Sequence, residues 1–450
     1  MASVIKLRKG LDISLKGKAA EEFFPVKETG LFAMIPDDFP GVTPKVAAKA
    51  DEKVKAGEPL FFDKNHPELK IVSPVSGTVM KVERGARRKI LNITVKADEN
   101  QEFVDFGVKP IDGLTADEVK EILLKSGMFA YLRQRPYDVV ADPTATPKGI
   151  FISAFDTNPL ARNFELALQD EDDNFQTGLN ALAKLAKVYL NIQAQEQNKT
   201  LTEAKNVILN RFEGPHPAGN VGVQIHHINP INKGETVWTI DPEAVIFIGR
   251  LFATGKVDFT RTIAVTGSEV KNPGYCKVKV GSQLTPLFEG NTLTDQKLRY
   301  ISGNVLTGRQ VEKDGFLGAF STQVTVIPEG DETHELFGWI SPRLDQYSVN
   351  HSYFTWLQGK GKKYVLDARI KGGQRHMIMS NEYDKVLPMD ILPEFLIKAI
   401  LAGDIDKMEQ LGIYEVAPED FALCEFVCSS KMELQRIVRT GLMMLRKEMC

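Results

Sequence analysis

Cysteine is scarce in this chain: there are four in 450 residues, Cys276, Cys424, Cys428 and Cys450. Four scattered thiols exclude a disulfide scaffold and point to a reducing compartment. They also fall short of an iron–sulfur cluster, which takes four thiolates, because only Cys424 and Cys428 lie close together. Long apolar runs are missing as well. AVIFIG (244–249) and EFLIKAILAG (394–403) are strand-length or broken by charge, so no segment reaches the roughly 18 apolar residues of a membrane helix. The first twenty residues, MASVIKLRKGLDISLKGKAA, hold no apolar core of a secretory signal. Base is not in excess, since 56 Lys and Arg face 59 Asp and Glu for a formal net charge of −3. That balance argues against nucleic acid as a partner. No Gly-Lys-Ser/Thr loop, G-x-S-x-G elbow or C-x-x-C pair occurs, so nothing marks a phosphate loop or a hydrolytic nucleophile.

What is present is ordinary folded-protein composition, 43% hydrophobic and 26% charged, at a length that calls for several domains. Alternating apolar and polar residues between Gly and Pro, as in VKAGEPLFFDK (54–64) and IVSPVSGTVMKVERGARRKILNITV (71–95), predict short strands over 30–97. The run SPVSGTVMKV resembles the biotinyl/lipoyl-carrier type of β-sandwich. In such a carrier the modified lysine would fall at His66, flanked here by Lys64 and Lys70 in a proline-bearing turn, so an unmodified domain is expected. Residues 115–255 alternate helical and strand patterns. TADEVKEILLKSG opens with a threonine cap and an acidic turn, and KGIFISAF is an apolar strand, which together predict a Rossmann-like α/β domain. Over 258–310, Val265, Gly267, Val270, Pro273 and Gly274 spell a hairpin that resembles the soluble-ligand-binding β-grasp (SLBB-like) module, with GSQLTPLFEG starting its helix. From about 380 the pattern is helical. The expected architecture is α+β and multidomain: a carrier-like β-sandwich (1–105), the Rossmann-like domain (106–257), the β-grasp domain (258–330), and a linker with a C-terminal helical domain (331–450).

One stretch, GPHPAGNVGVQIHHIN (214–229), concentrates three of the seven histidines. Zinc ligands must converge on one point. His226 and His227 are adjacent and diverge on either a strand or a helix, and His216 lies ten residues away between prolines, with no cysteine near. No metal site is expected. A packed, hydrogen-bonded turn and strand is the plain reading, with Pro215 and Pro217 restricting φ and the glycines fitting special backbone. A contact surface for a partner protein or a quinone headgroup, formed by His216, Pro217, Gly219, Gly222, His226 and His227, is the functional alternative.

The order of modules resembles the electron-input subunits of respiratory complexes, namely the C subunit of the Rnf complex and the flavin subunit of complex I. The fullest resemblance is to the NqrA family, the A subunits of the sodium-translocating NADH:quinone reductases. It is carried by KLRKGLDISLKGKA, SPVSGTV, RPYDVVADPTATPKGIFISAFDTNPLA, GPHPAGNVGVQIHHINPI, GFLGAFSTQVTVIPEG, ELFGW and LPMDILPEFLIKAILAGD. The resemblance implies a peripheral subunit on the cytoplasmic side of a bacterial inner membrane, with no membrane helix of its own. It would be docked on the membrane-embedded B subunit, next to the other subunits of a complex that couples NADH oxidation and quinone reduction to Na⁺ export. NADH, flavins, an iron–sulfur centre and quinone would be used by the complex. Flavin-binding relatives carry a glycine-rich loop where this chain has KSGMFAYLRQRPYDVV, which keeps only Gly127, and bulky side chains bar the backbone from a phosphate. The chain is therefore expected to bind no cofactor and to carry no catalytic residue. The competing expectation is a flavin- or NADH-binding electron-input subunit of an Rnf-type complex.

Overall fold

The computed structural model describes residues 4–449 except 294–295, 332–336, 338–339, 341 and 360. Cys450 and most of ELFGW lie outside the described residues. A seven-stranded sheet forms the centre. Its order is Val4–Lys6, Ile208–Glu213, Val188–Gln193, Ile150–Ser153, Val237–Thr239, Arg133–Arg135, Val139–Val140. The first five strands run parallel, and the last two are antiparallel additions. Ile150, Phe151 and Ile152 are all buried, as expected of a parallel strand covered on both faces. The predicted threonine cap is present: Thr115 Oγ1 accepts from Glu118 N–H and Glu118 accepts from Thr115 N–H, opening the helix Ala116–Lys125.

The helices Asp172–Leu185 and Pro242–Thr254 cross on the sheet at glycine on both sides. A Cβ on Gly178 would sit 2.1 Å from Val245 O, and one on Gly249 would sit 1.7 Å from Asn174 O. Only glycine admits so close a crossing.

Two smaller β units flank this centre. A four-stranded sheet, ordered Leu31–Met34, Ile90–Ala97, Gly77–Arg84, Lys53–Val54, faces a three-stranded sheet of Pro44–Val46, Pro59–Asp63 and Lys70–Val72. The Gly77 of SPVSGTV lies against Lys96 O, where a Cβ would come within 2.0 Å. His66 sits in the turn between the last two strands, its carbonyl accepting from Leu69 N–H at 2.9 Å. The other unit is a mixed five-stranded sheet, ordered Gly274–Lys279, Thr260–Thr266, Gln323–Pro328, Leu298–Ser302, Arg309–Val311, with the short helix Thr285–Phe288.

The C-terminal helices Pro393–Ala402, Ile405–Gln410, Ala422–Val427 and Leu434–Met449 pack on the central domain. Leu396, Ile400, Phe421 and Leu442 share one core with Phe151, Phe212, Val223 and Ile225.

The N-terminal segment ties the units together. Val4–Lys6 is the edge strand of the central sheet, so the sandwich expected from residue 1 is preceded by a strand of another sheet. Leu15 then bridges Tyr364, Gly17 O accepts from Gly267 N–H at 2.9 Å, and Phe23 bridges Tyr275.

Candidate functional site

In the central sheet the chain passes from Ile150–Ser153 outward to Val188–Gln193 and Ile208–Glu213, then returns to Val237–Thr239 on the other side of Ile150–Ser153. Helices leaving neighbouring parallel strands in opposite directions open a crevice at the strands' carboxyl ends, the usual ligand position in such folds. A cavity of about 450 Å³ lies there. Its walls come from the ends of both strands (Ser153, Phe155, Thr239, Asp241), from the turn entering helix Val221–Ile228 (Gly219, Asn220), from the five-stranded unit (Asn304, Phe320), and from the C-terminal helices (Glu419, Arg439). The volume is within the range of small-molecule sites.

The lining charges are balanced and largely committed to one another. Arg135, 1% exposed, donates to Asp420 at 2.7 Å and to Glu419 at 2.6 Å, locking the C-terminal helices to the sheet. Arg162 donates to Glu243 at 2.5 Å, and Arg439 pairs with Asp138. Arg133 lies 4.3 Å over the Phe320 ring and 3.7 Å from Asp138, with its buried Nε unpartnered. Tyr131 is buried and its hydroxyl has no partner; burial raises its phenol well above the ordinary range. Burial also raises the Asp156 carboxyl, against hydrogen bonds from Asn158 that lower it.

This lining does not fit a flavin or dinucleotide phosphate. Asp241 occupies the N-terminus of helix Pro242–Thr254 with its own carboxylate, accepting from Glu243 N–H at 2.9 Å. At that terminus a phosphate would meet the Asp241 carboxylate where it needs bare N–H groups.

The GPHPAGNVGVQIHHIN stretch joins Ile208–Glu213 to the crevice, but most of its candidate residues do not face it. The two adjacent histidines lie on a helix, Val221–Ile228, and not on the expected strand. The alternating V-G-V-Q-I imitates a strand; the fold needs a crossover helix here, because the next strand runs parallel. His226 Nδ1 lies 2.7 Å from Glu415 Oε2, and its Nε2 accepts from Asp390 N–H at 2.9 Å. His227 Nε2 donates to Pro388 O at 2.8 Å. Both rings therefore clamp this helix to the C-terminal region.

His216 is buried, with Nδ1 at 3.1 Å from Thr157 Oγ1, its N–H donating to Asp12, and Nε2 unpartnered. Burial pushes its pKa down to about 4, so the ring is neutral. Pro217 is buried behind it. Gly219 borders the cavity, and Gly222 lies under the Arg135–Asp420 pair. Neither has a positive φ; both are glycine for space. A Cβ on Gly219 would come within 2.8 Å of Thr157 N, and one on Gly222 within 2.3 Å of Arg135 Nη1.

Of the six candidates, Gly219 alone lines the cavity. The residues that do most to shape it, Tyr131, Arg133, Arg135 and Asp138, belong to KSGMFAYLRQRPYDVV, a stretch whose side chains the sequence did not mark as a site. Among the described residues no group of three or more His, Cys, Asp or Glu is placed to hold a metal ion. Cys424 and Cys428 are buried, with Cys428 Sγ 2.9 Å from Tyr383 Oη, and burial holds the Cys424 thiol far above its ordinary range. No helix among the described residues is long and apolar enough to cross a membrane.

Comparison with known proteins accounts for nearly the whole chain. Three family models match it: the NqrA N-terminal barrel-sandwich hybrid domain over residues 5–98, the NqrA second alpha/beta domain over 114–257, and the NQRA C-terminal domain over 262–313. The A subunit of the Na(+)-translocating NADH-quinone reductase of Haemophilus influenzae is 35% identical over 451 residues, covering 99% of this chain and 100% of that protein. The proteins of the same name from Neisseria meningitidis and Hahella chejuensis are 34% and 35% identical, at 99% and 100% coverage. A solved structure described as an NAD⁺-reducing [NiFe]-hydrogenase shares 13% identity over 51% of this chain and 52% of its own, at a TM-score of 0.33. The barrel-sandwich unit, the α/β unit and the SLBB-type unit thus form one multidomain α+β protein, and the chain belongs to the NqrA family, the A subunits of the Na⁺-translocating NADH-quinone reductases.

Proposed function

We propose that this chain is the peripheral A subunit of an Na⁺-translocating NADH:quinone oxidoreductase, held at the cytoplasmic face of the bacterial inner membrane. The single observation that carries this reading is identity of about a third along the full length of proteins with that name. In this reading the chain assembles with the other subunits, chiefly the membrane-embedded B subunit, and binds no cofactor itself. NADH, flavins and iron–sulfur chemistry belong to its partners. Its units are the carrier-like sandwich (within 1–105, after the strand Val4–Lys6 that joins the central sheet), the Rossmann-like domain (106–257), the β-grasp domain (258–330) and the C-terminal helical region (331–450), an order akin to that of the complex I flavin subunit or the Rnf C subunit. The Asp241 carboxylate at the N-terminus of helix Pro242–Thr254, where a phosphate would need bare N–H groups, favours this over a flavin- or NADH-binding input subunit.

Quinone access is the chemical role that suits the crevice. Phe155, Phe164, Phe320 and Ile240 offer an apolar, partly aromatic wall, and the partly exposed Arg133 offers a donor for a quinone oxygen. The expected contact thus moves from the histidines to the strand ends, with Gly219 at the border. A chain carrying an affinity tag, expressed in its native host, should co-purify with NADH:quinone reductase activity. The chain purified alone should show no flavin band near about 450 nm. Recovery of the tagged chain without other subunits would sink the assignment, and a stoichiometric flavin band would sink its cofactor-free part. In the assembled enzyme, Phe320→Ala should raise the KM for quinone several-fold while NADH oxidation with an artificial acceptor stays unchanged. An unchanged KM would remove the crevice from the quinone path.

A further inference from the structure

The segment 342–380 inverts the usual burial rule. In the turn Phe354–Gln358 the threonine, Thr355, is buried, while Phe354, Trp356 (51% exposed) and Leu357 (64%) face solvent. Further along, Tyr364 is buried and bridges Leu15, whereas Val365 and Ile370 (61%) point outward. Ile378 and Met379 are exposed too. Ser380 and Asn381 donate to Glu394, which brings this end beside the exposed Leu392 and Phe395 at the start of helix Pro393–Ala402. Isolated exposed apolar residues are normal; this many along one anchored segment mark an interaction surface.

Charge identifies what covers it. Residues 342–380 hold seven lysines and arginines against two aspartates, in a chain whose net charge is −3. Four of the seven cations are lysines, a residue depleted at protein–protein interfaces but well suited to phosphate headgroups. Most of these apolar side chains protrude from irregular backbone, so they form no helical ridge or strand edge for a shaped partner. Aromatic and aliphatic side chains interleaved with lysine and arginine are the composition of a surface that sits at a bilayer interface.

We propose that segment 342–380, continued by Leu392 and Phe395, is a lipid-contacting surface that inserts apolar side chains into an anionic bilayer while exposed cations such as Lys363 and Arg375 meet the headgroups. This deepens the peripheral-subunit reading of the chain and rests on it for the setting. Protein-free vesicles keep the two separable, because a failure to bind lipid leaves co-purification with the complex untouched.

The full chain is mixed with vesicles of phosphatidylcholine alone, or of phosphatidylcholine with an equal share of phosphatidylglycerol, and sedimented. We expect partition into the anionic vesicles only, weakening as salt rises. Lys363→Gln with Arg375→Gln should lower that partition roughly thirtyfold, and Trp356→Ser with Leu357→Ser should also lower it. All four side chains are exposed, so melting temperatures should match the parent, and a variant that melts early is replaced by its single substitutions. Equal binding to neutral and anionic vesicles, no binding to either, or full binding by both double variants would overturn the proposal. Binding confined to vesicles that carry the enzyme's membrane subunits would overturn it as well, and would assign the surface to a protein.

Discussion

Gly222→Ala adds one methyl group at the point where the central sheet and the C-terminal helices are locked together. Two effects oppose each other. Alanine is the better helix former, by about 1 kcal/mol at most, and less at the second position of the helix. Against that, the new Cβ would stand 2.3 Å from Arg135 Nη1 and 2.5 Å from each carboxylate oxygen of Asp420. Those atoms form a 2.7 Å ion pair with side chains 1% and 0% exposed. The methyl can be admitted only if the pair opens. Breaking a buried pair costs about 3–5 kcal/mol, because the separated charges have no water to turn to.

Arg135 keeps Glu419 at 2.6 Å, which holds the cost toward the lower end, so the net loss should be about 2–3 kcal/mol. For a chain of this length that amounts to a fall of about 2–3 °C in melting temperature. The unfolding transition should be followed by calorimetry, with limited proteolysis reporting release of the C-terminal helices. An unchanged or higher melting temperature would refute the reasoning, since it would mean that the pair contributes nothing the helix propensity cannot replace.

The histidines make a contrasting set. His226→Gln and His227→Gln should each be milder than Gly222→Ala, and metal analysis of the parent protein should find no stoichiometric zinc; zinc lost together with stability in either variant would reverse this. His216 has its pKa depressed to about 4 by burial, so the unfolded chain binds the extra proton first. Its contribution is therefore complete above about pH 6.5 and is lost as the pH falls toward about 4, by at most about 3 kcal/mol. His216→Gln should flatten the stability profile in that window, and an unaltered profile would contradict the assignment. Replacing Cys424 and Cys428 together with Ala should leave electron transfer in the assembled enzyme nearly unchanged, because both are small buried side chains; a large loss of activity with loss of an iron signal would refute this.

Local signals were the most legible. Thr115 and Glu118 mark their helix start from sequence alone, and the Ile150–Ser153 strand is plain from its unbroken apolar run. The histidine stretch misled for a physical reason: V-G-V-Q-I has the period of a strand, and only the parallel neighbour at Val237–Thr239 requires a helix there. The crevice was legible only in part. Its position follows from strand order, which depends on pairings between distant segments. Arg135 and Asp420, 285 residues apart, carry no local mark of their partnership. Burial inversion at Phe354–Gln358 is likewise invisible in sequence.

The way the N-terminal segment ties the units together bears on how the molecule is made. Val4–Lys6 leaves the ribosome well before its partners: its strand partner ends at Glu213, Gly17 waits for Gly267, and Leu15 waits for Tyr364. This early-made segment is thus among the last to settle, and until then its backbone groups stay open to any passing edge strand. Synthesis of this segment carries a built-in interval of exposure, one that a chaperone or a slow stretch of translation would have to cover. A tag placed before Val4 acts during that interval as well as on the finished fold.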